Sequence, residues 1–360
     1  MRPDNKYRLL GVRLEGNGAF HRETVSGTET SASRLTRVEA GDFIYSRLFA
    51  WRGAFGIIPK ELDGAFVSNE FPLFRVDNSR LDSSFLNRWF QLPATWKRVE
   101  EDCTGSTPTT RNRFKEEFFL KLEIPLPPLS EQHAIVAKLA ELSDKTRQLN
   151  THIDAIEADA DRLLALRFRD AIANAPYRPM SEVAPIEKRP VTLDTSKRYR
   201  EVGARSFGKG LFSKPDFNAA EATWEKPVWI KSGDVVFSNI KAWEGAIALA
   251  SDEHDNAIAS HRYITCVPDS NQMLGNFLLY YLLSPEGLGK IGDASAGTAD
   301  RNRTLSVTKL SKIEVPIPSL EAQRDFVTLQ ITITAIKMKR VGIHQANVAL
   351  LPVMLEQIFG

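Results

Sequence analysis

From Ser130 to about Ile172 the chain places Ile135, Leu139, Leu142, Thr146, Leu149, Ile153, Ile156, Ala160 and Leu163 at alternating steps of four and three. That is the seam of a coiled coil held over about four heptads. The other positions are mostly Asp, Glu, Lys, Arg, Gln and Ala, so the apolar stripe is narrow and the helix needs a partner. A second run near the C-terminus supplies one: Phe326, Leu329, Ile333, Ile336, Arg340, Ile343, Asn347, Leu350 and Met354 alternate in the same way. The helix–helix interface is expected at Leu139, Leu142, Leu149, Ile153 and Ile156 on one side and at Ile333, Ile336, Ile343 and Leu350 on the other. An extra stripe at Val327, Val341, Val348 and Leu355 predicts that the second helix is covered on more than one side, and Pro352 predicts a kink near its end.

Each helix follows a Pro-rich run, EIPLPPLSEQ (Glu123 to Gln132) and EVPIPSLEAQ (Glu314 to Gln323), in which Ser130 and Ser319 are expected as N-caps. The likeness extends upstream. Tyr7-Arg8, Gly11, Arg13, Gly18 and Phe20 recur as Tyr199-Arg200, Gly203, Arg205, Gly210 and Phe212, at an offset of 192 (199 − 7). At that offset GDFIYSRLFAWRGAF (Gly41 to Phe55) and GDVVFSNIKAWEGAI (Gly233 to Ile247) share seven of fifteen residues, where unrelated sequence gives about one. The chain is therefore two copies of one unit, each a globular lobe followed by a long helix.

Within a lobe, Asp42 to Leu48 and Asp234 to Ile240 read as strands after a Gly-Asp turn, with Ala65 to Val76 and Ala257 to Pro268 as two more. Leu81 to Leu92 and Met273 to Ser284 read as helices. The predicted fold class is α+β: two similar mixed α/β lobes at 1–128 and 175–318, with long antiparallel coiled-coil helices at 129–174 and 319–360. Tyr177 to Leu193 precede the second lobe, whereas Met1 lies only six residues before Tyr7. Either the first lobe does without that lead-in or the chain starts late.

A length of 360 residues with 42% hydrophobic content suits two domains with their own cores. No apolar run is long enough for a membrane span or a signal peptide, and the chain is read as cytoplasmic with no membrane partner. Cys103 and Cys266 fit no metal spacing. The net charge of +2 gives no global argument for nucleic acid, but between Glu187 and Lys214 eight Lys or Arg stand against three acids.

Catalytic signatures are scarce. GARSFGKG (Gly203 to Gly210) approaches a phosphate-binding loop but has Gly210 where a magnesium-binding hydroxyl belongs, and it would have to lead directly into a helix. Asp252, Glu253 and Asp255 form an acidic cluster that reads as a solvated loop. No G-x-S-x-G or H-E-x-x-H occurs. The expectation is a non-catalytic binding protein with no cofactor and no metal.

What repeats instead is a polar turn carrying cations beside aromatics. Arg13, Arg47 and Arg52, with Ser46, mark it in the first lobe; Arg205, Lys209 and Lys241, with Asn239, mark it in the second. Arg111, Arg113, Arg301 and Arg303 form matching Arg-Asn-Arg triplets. Basic side chains on loops next to rigid aromatics suit phosphate anchoring and contacts to base edges. For Trp51 and Trp243 a place in the lobe core is the plainer reading.

Two lobes that each contain G-D-x-x-x-S…A-W-x-G-A and each end in I/V-P-x-P…Q before a long helix resemble the DNA-specificity subunit of type I restriction-modification systems. The resemblance covers nearly the entire chain. It implies two target-recognition domains related by a pseudo-two-fold axis, each reading half of an asymmetric split site in double-stranded DNA. It also implies helices that act as a ruler between half-sites, docking of two methyltransferase subunits, and restriction/translocase subunits that join to cleave. Other readings are the recognition module of a different phage-defence assembly, a scaffold that has lost DNA reading, and, from another class, a cryptic metal- or nucleotide-dependent enzyme.

Overall fold

The computed structural model describes residues 2, 4–29, 34–103, 113–221, 226–297 and 303–360. The chain divides into two compact units, Met1–Ala155 with Lys339–Gly360, and Ile156–Met338. Each contains one lobe and a part of both long helices.

In the first unit, β1 (Lys6–Val12) and β2 (Ala19–Ser26) form an antiparallel hairpin, and β3 (Thr36–Arg37) completes one sheet through a later strand. β4 (Phe43–Tyr45) lies between β5 (Phe55–Ile57) and β7 (Leu73–Phe74) in a second sheet, while β6 (Phe66–Val67) joins the first in the order β2-β1-β6-β3. Next come α1 (Ser83–Trp89), α2 (Pro93–Glu101), α3 (Glu116–Phe119) and the 44-residue α4 (Leu129–Ile172). Phe43, Tyr45, Phe55, Phe90 and Phe114 are fully buried and, with Phe119, form one aromatic core.

The second unit opens with β8 (Tyr177–Pro179) and α5 (Met180–Val183), followed by β9 (Arg198–Tyr199), β10 (Val202–Ala204), β11 (Leu211–Ser213), β12 (Phe217–Asn218) and β13 (Val228–Ile230). β14 (Val235–Ser238) runs between β15 (Ile247–Leu249) and β17 (Tyr263–Cys266), and β16 (Ala257–Ala259) pairs with β13. α6 (Gly275–Leu282), α7 (Pro285–Ala294), β18 (Ser295–Ala296), β19 (Thr304–Leu305), α8 (Val307–Leu310), β20 (Glu314–Pro316) and α9 (Leu320–Phe359) complete the chain. The duplication extends to register. The parallel contact of Leu9 with Phe66 recurs as Glu201 with Ile258, and the three-stranded sheet β5-β4-β7 recurs as β15-β14-β17.

The long strands expected at 65–76 and 257–268 are each two strands. A turn closed by Phe71 N to Ser68 O (3.1 Å) separates β6 from β7, and its counterpart, Tyr263 N to Ser260 O (3.0 Å), separates β16 from β17. Pro72 reinforces the first break because it cannot donate to a ladder. β8 pairs antiparallel with β20, so the lead-in of the second lobe becomes an added strand.

α4 and α9 run antiparallel within each unit. In the first, Asn347 Nδ2 donates to Asn150 Oδ1 (2.9 Å), Arg340 pairs with Asp154, and Leu355 packs with Leu139 and Leu92. In the second, Lys337 meets Asp161 at 2.5 Å, and Phe168 packs on Phe326 with ring centroids 5.2 Å apart. Register corrects the expected seam. Leu139 and Ile333 are buried and Leu142 and Ile153 half-buried, but Leu149, Ile156, Ile336, Ile343 and Leu350 are exposed. On α4 the inward positions are Thr146, Asn150, Ile153, Glu157, Ala160, Leu164 and Phe168. An α-helix drifts about 20° per heptad against a strict seven-residue repeat. After Thr146 the facing position has moved on by one residue, and polar groups occupy the middle of the pair. Val341 and Val348 of the extra stripe are likewise exposed, and Leu355 is buried. α9 continues helically through Pro352.

The start of each long helix is fastened to its lobe by one glutamine. Gln132 is fully buried; its Oε1 accepts from Asp82 N (2.8 Å), and its Nε2 donates to Arg80 O (3.0 Å) and Pro127 O (2.7 Å). Gln323 repeats this with Leu274 N (2.8 Å), Gln272 O (2.8 Å) and Pro318 O (2.9 Å). Each therefore ties the chain entering a lobe helix, α1 or α6, to the Pro-rich run. Ser319 caps α9, with Ala322 N at 3.2 Å from its hydroxyl. Ser130 is not the cap of α4: Pro128 stands in the matching place, and its carbonyl accepts from Glu131 N (2.9 Å) and Gln132 N (3.0 Å). Gln132→Ala or Gln323→Ala leaves three backbone groups without their partner and should lower the stability of its unit by about 2–3 kcal/mol in urea unfolding. A loss below about 0.5 kcal/mol would remove the glutamine from this role.

Candidate nucleic-acid interface

In each lobe a hairpin tip rests on a 3-10 turn. The first tip, Arg13 to Gly18, is closed by Arg13 N to Gly18 O (2.9 Å). It docks on the turn Ala50–Arg52 through Glu15 N to Arg52 O (2.9 Å) and Gly16 N to Gly53 O (2.7 Å). The second repeats this with Arg205 N to Gly210 O (3.0 Å), Phe207 N to Glu244 O (2.8 Å) and Gly208 N to Gly245 O (2.9 Å). Gly53 and Gly245 end their turns in the left-handed region, which favours glycine.

The cations gather here on aromatic faces. The Arg13 guanidinium lies 4.6 Å from the Phe20 ring and that of Arg205 lies 5.0 Å from Phe212, so both are held erect along their hairpins. Arg52 lies over Trp51 at 5.8 Å, whereas Trp243 is flanked by Lys241 at 5.3 Å and Arg303 at 4.7 Å. Each indole N–H is used internally: Trp51 Nε1 donates to Leu48 O (3.0 Å) and Trp243 Nε1 to Ile240 O (3.2 Å). The tryptophans are half-buried and act as floors for the cations. Arg13, Arg52, Arg205 and Lys209 are exposed, and Lys241 is held by Glu244 at 2.6 Å. That contact lowers the carboxyl pKa of Glu244.

Other candidates have structural work. Ser46 and Ser238 are buried. Arg47 makes a forked contact with Glu116 and also donates to Asn69 O, which holds α3 against the end of β4. Asn239, its counterpart, is half-buried; its backbone accepts from Leu305 N (2.7 Å) and its side-chain oxygen is enclosed. Arg113 pairs with Glu70 at 2.9 Å at the rim. Arg303 donates to Gly292 O (3.0 Å) from its place over Trp243. Arg111 and Arg301 lie outside the described residues.

Part of the basic run between Glu187 and Lys214 is engaged within its own lobe. Arg189 is held by Asp234 (2.6 Å) and Glu187 (2.8 Å), Lys214 by Glu201 (2.5 Å), and Arg200 by the carbonyls of Glu253 and Asp255, both at 2.8 Å. The acidic cluster is a capped turn: Asp252 accepts from Ser232 Oγ (2.6 Å) and Asp255 from Ser232 N (3.1 Å). Among the described residues no His, Cys, Asp and Glu group is arranged to hold a metal. Gly210 is followed by strand β11 and not by a helix, so the phosphate-loop reading of Gly203 to Gly210 fails on geometry. Burial pushes the Cys103 thiol up to about 11 and that of Cys266 up to about 12, so neither is poised as a nucleophile. Among the described residues no helix is long and apolar enough to cross a membrane. The site feature that sequence reasoning missed is Phe207, an exposed aromatic at the second tip whose signal was a bulky residue inside a glycine-rich turn.

Residues 11–158 match the family described as type I restriction modification DNA specificity domain. That stretch is similar to the DNA specificity domain of type I restriction-modification systems. The matched stretch takes in the tip and second strand of the first hairpin, the first 3-10 turn and the upstream part of α4. The MjaVIII type I restriction enzyme specificity subunit of Methanocaldococcus jannaschii is 23% identical over 271 residues, covering 69% of this chain and 62% of that subunit. The HindI specificity subunit of Haemophilus influenzae is 25% identical over 103 residues, covering 28% of this chain and 22% of that one. The chain thus matches less than two thirds of the length of either curated relative. Among solved structures, the HsdS subunit from Thermoanaerobacter tengcongensis superposes with a TM-score of 0.66 at 17% identity, over 99% of this chain and 91% of that one. A chain from work on complex assembly and conformational transition of the type I R-M system gives 0.71 at 17% identity with the same coverage. The fold of two mixed lobes with two long helices is shared with both.

The strength of the Arg47–Glu116 fork depends on pH. Hydrogen bonding to Arg47 holds the Glu116 carboxyl below its ordinary value, so its contribution is complete above that value and is lost as pH falls through the lowered one. Glu116 keeps 39% of its side chain exposed and water screens the pair, so Glu116→Gln should cost about 1 kcal/mol at pH 7. The gap between wild type and variant should close on acidification below the usual glutamate range. Urea titrations at both pH values check this, and a gap independent of pH would contradict it.

Proposed function

We propose that this chain is the non-catalytic DNA-reading subunit of a type I restriction-modification assembly, with each lobe recognising one half of a bipartite, asymmetric site in double-stranded DNA. One observation carries the reading. The two lobes keep the same clamped tip and turn at a constant offset, while the side chains displayed there differ: Glu15 and Phe207, Asn17 and Lys209, Phe49 and Lys241, Arg52 and Glu244 occupy matching places. A constant scaffold with exchanged exposed groups suits two readers of different sequences. Arg13 and Arg52 would contact DNA from the first lobe; Arg205, Lys209, Lys241 and Arg303 would do so from the second.

The long helices would dock two methyltransferase subunits, which restriction/translocase subunits join. Support comes from apolar side chains left exposed on the helices of each unit, Leu149, Ile343 and Leu350 in the first and Ile156, Leu163 and Ile336 in the second. The four boundaries in this reading are 1–128, 129–174, 175–318 and 319–360, two readers and two helices.

Two variants test it by methylome sequencing of cells carrying the whole system. Arg205→Ala combined with Lys241→Ala should relax one half-site by about tenfold or more and leave the other unchanged. Inserting one helical turn into both α4 and α9 adds about 6 Å, which should lengthen the spacer by about two base pairs without altering either half-site. Equal loss at both half-sites, or an unchanged spacer, would contradict the proposal.

A further inference from the structure

The second hairpin tip carries a feature that anchoring phosphates does not require. Phe207 is 76% exposed, more than any other large hydrophobic side chain among the described residues. Its φ of 62° lies in the left-handed region, which a bulky side chain rarely enters, and Gly208 beside it has φ of 65°. The surroundings enforce this conformation. Phe207 N is tied to Glu244 O and Gly208 N to Gly245 O, while Ser206 Oγ donates to Glu244 Oε2 at 3.0 Å. A Cβ added at Gly208 would stand 2.8 Å from Leu283 Cδ1, so the tip is pressed against the end of α6. The backbone is held from below and the ring is projected outward, with Arg205 and Lys209 two residues away on either side. A strained residue kept in place by its neighbours is a sign of function when the strain presents a group that nothing in the lobe needs.

We propose that Phe207 is a wedge that enters a base step of the half-site read by the second lobe, partly unstacking it while Arg205 and Lys209 hold the flanking phosphates. Apolar side chains inserted between base pairs kink the duplex, and flexible pyrimidine–purine steps yield to them most readily. The first lobe provides the internal contrast. Glu15 occupies the same tip position with φ of 58° and the same backbone clamp, and a carboxylate cannot enter a base stack. Only one half-site is therefore distorted, and that lobe gains selectivity from DNA deformability as well as from base edges. This inference rests on the DNA-reading function proposed above.

The test uses a tagged full-length chain purified with its bound subunits. Duplexes that it enriches from a random pool are remade with 2-aminopurine at successive positions. Wild type should raise the fluorescence several-fold at one step of the half-site that Arg205→Ala combined with Lys241→Ala relaxes, and at no step of the other. Phe207→Ala should abolish that rise and weaken binding about tenfold, while Phe207→Leu retains most of both. Because the ring is exposed, Phe207→Ala should leave the melting temperature unchanged. Enrichment of a bipartite sequence with no fluorescence change, or a rise that survives Phe207→Ala, overturns the wedge and leaves the DNA-reading function standing. Loss of co-purifying subunits from Phe207→Ala with an unaltered DNA signal makes the ring a protein contact and overturns it equally. Failure of wild type to enrich any sequence removes the DNA-reading function, and the wedge with it.

Discussion

Neither long helix can bury its apolar stripe by itself, and each lobe lacks a floor until both helices cross it. In the second unit Leu164 and Phe168 of α4, with Phe326 and Ile333 of α9, belong to the same buried cluster as Phe277, Leu278 and Tyr281 of α6. In the first, Leu139 and Leu355 close over Leu92, and Phe359 meets the Phe85 ring at 5.1 Å. Burying a side chain of this size contributes about 2–3 kcal/mol. A few such residues decide whether a lobe is closed. Gln132 and Gln323 add direction to that packing, since their three hydrogen bonds admit a single angle between lobe and helix.

That arrangement explains why a lobe can vary at its tip without losing its fold. The tip is fixed by backbone groups, Glu15 N and Gly16 N in one lobe and Phe207 N and Gly208 N in the other, and these are indifferent to the side chains presented. Two glycines of the first lobe's tip and turn are crowded as well as left-handed: a Cβ at Gly53 would stand 2.4 Å from the Trp96 ring, and one at Gly16 would stand 2.6 Å from Gln91 Cγ. Exposed positions between those fixed points are free to differ. Contact chemistry is thereby separated from stability.

Much of this was legible in the chain. The offset of 192 between Tyr7 and Tyr199 carried through to paired strands, turns and cation–aromatic contacts, because a duplicated sequence that folds twice must satisfy the same backbone constraints twice. The helix termini were also readable, since the Pro-rich runs punctuate them. The seam was not, because the apolar residues Leu149 and Ile156 stand one position away from the inward Asn150 and Glu157, and slow helical drift decides between them. The roles of Arg47 and Arg189 were hidden for another reason. Their acidic partners, Glu116 and Asp234, lie far away along the chain, so a local charge count does not register the pairing. Phe207 escaped because a glycine-rich turn with two cations reads as a phosphate loop until the following segment is seen to be a strand.

The central claim is that each lobe is completed by both helices, so that the last part of α9 belongs to the first lobe. Hydrogen exchange of the chain with Lys339–Gly360 deleted, compared with the full chain, tests it directly. The account predicts that protection falls in Ser83–Trp89 and in the first three turns of α4, while Gly275–Leu282 keeps its protection. Unchanged exchange in α1 and α4, or an equal loss in α6, would contradict it.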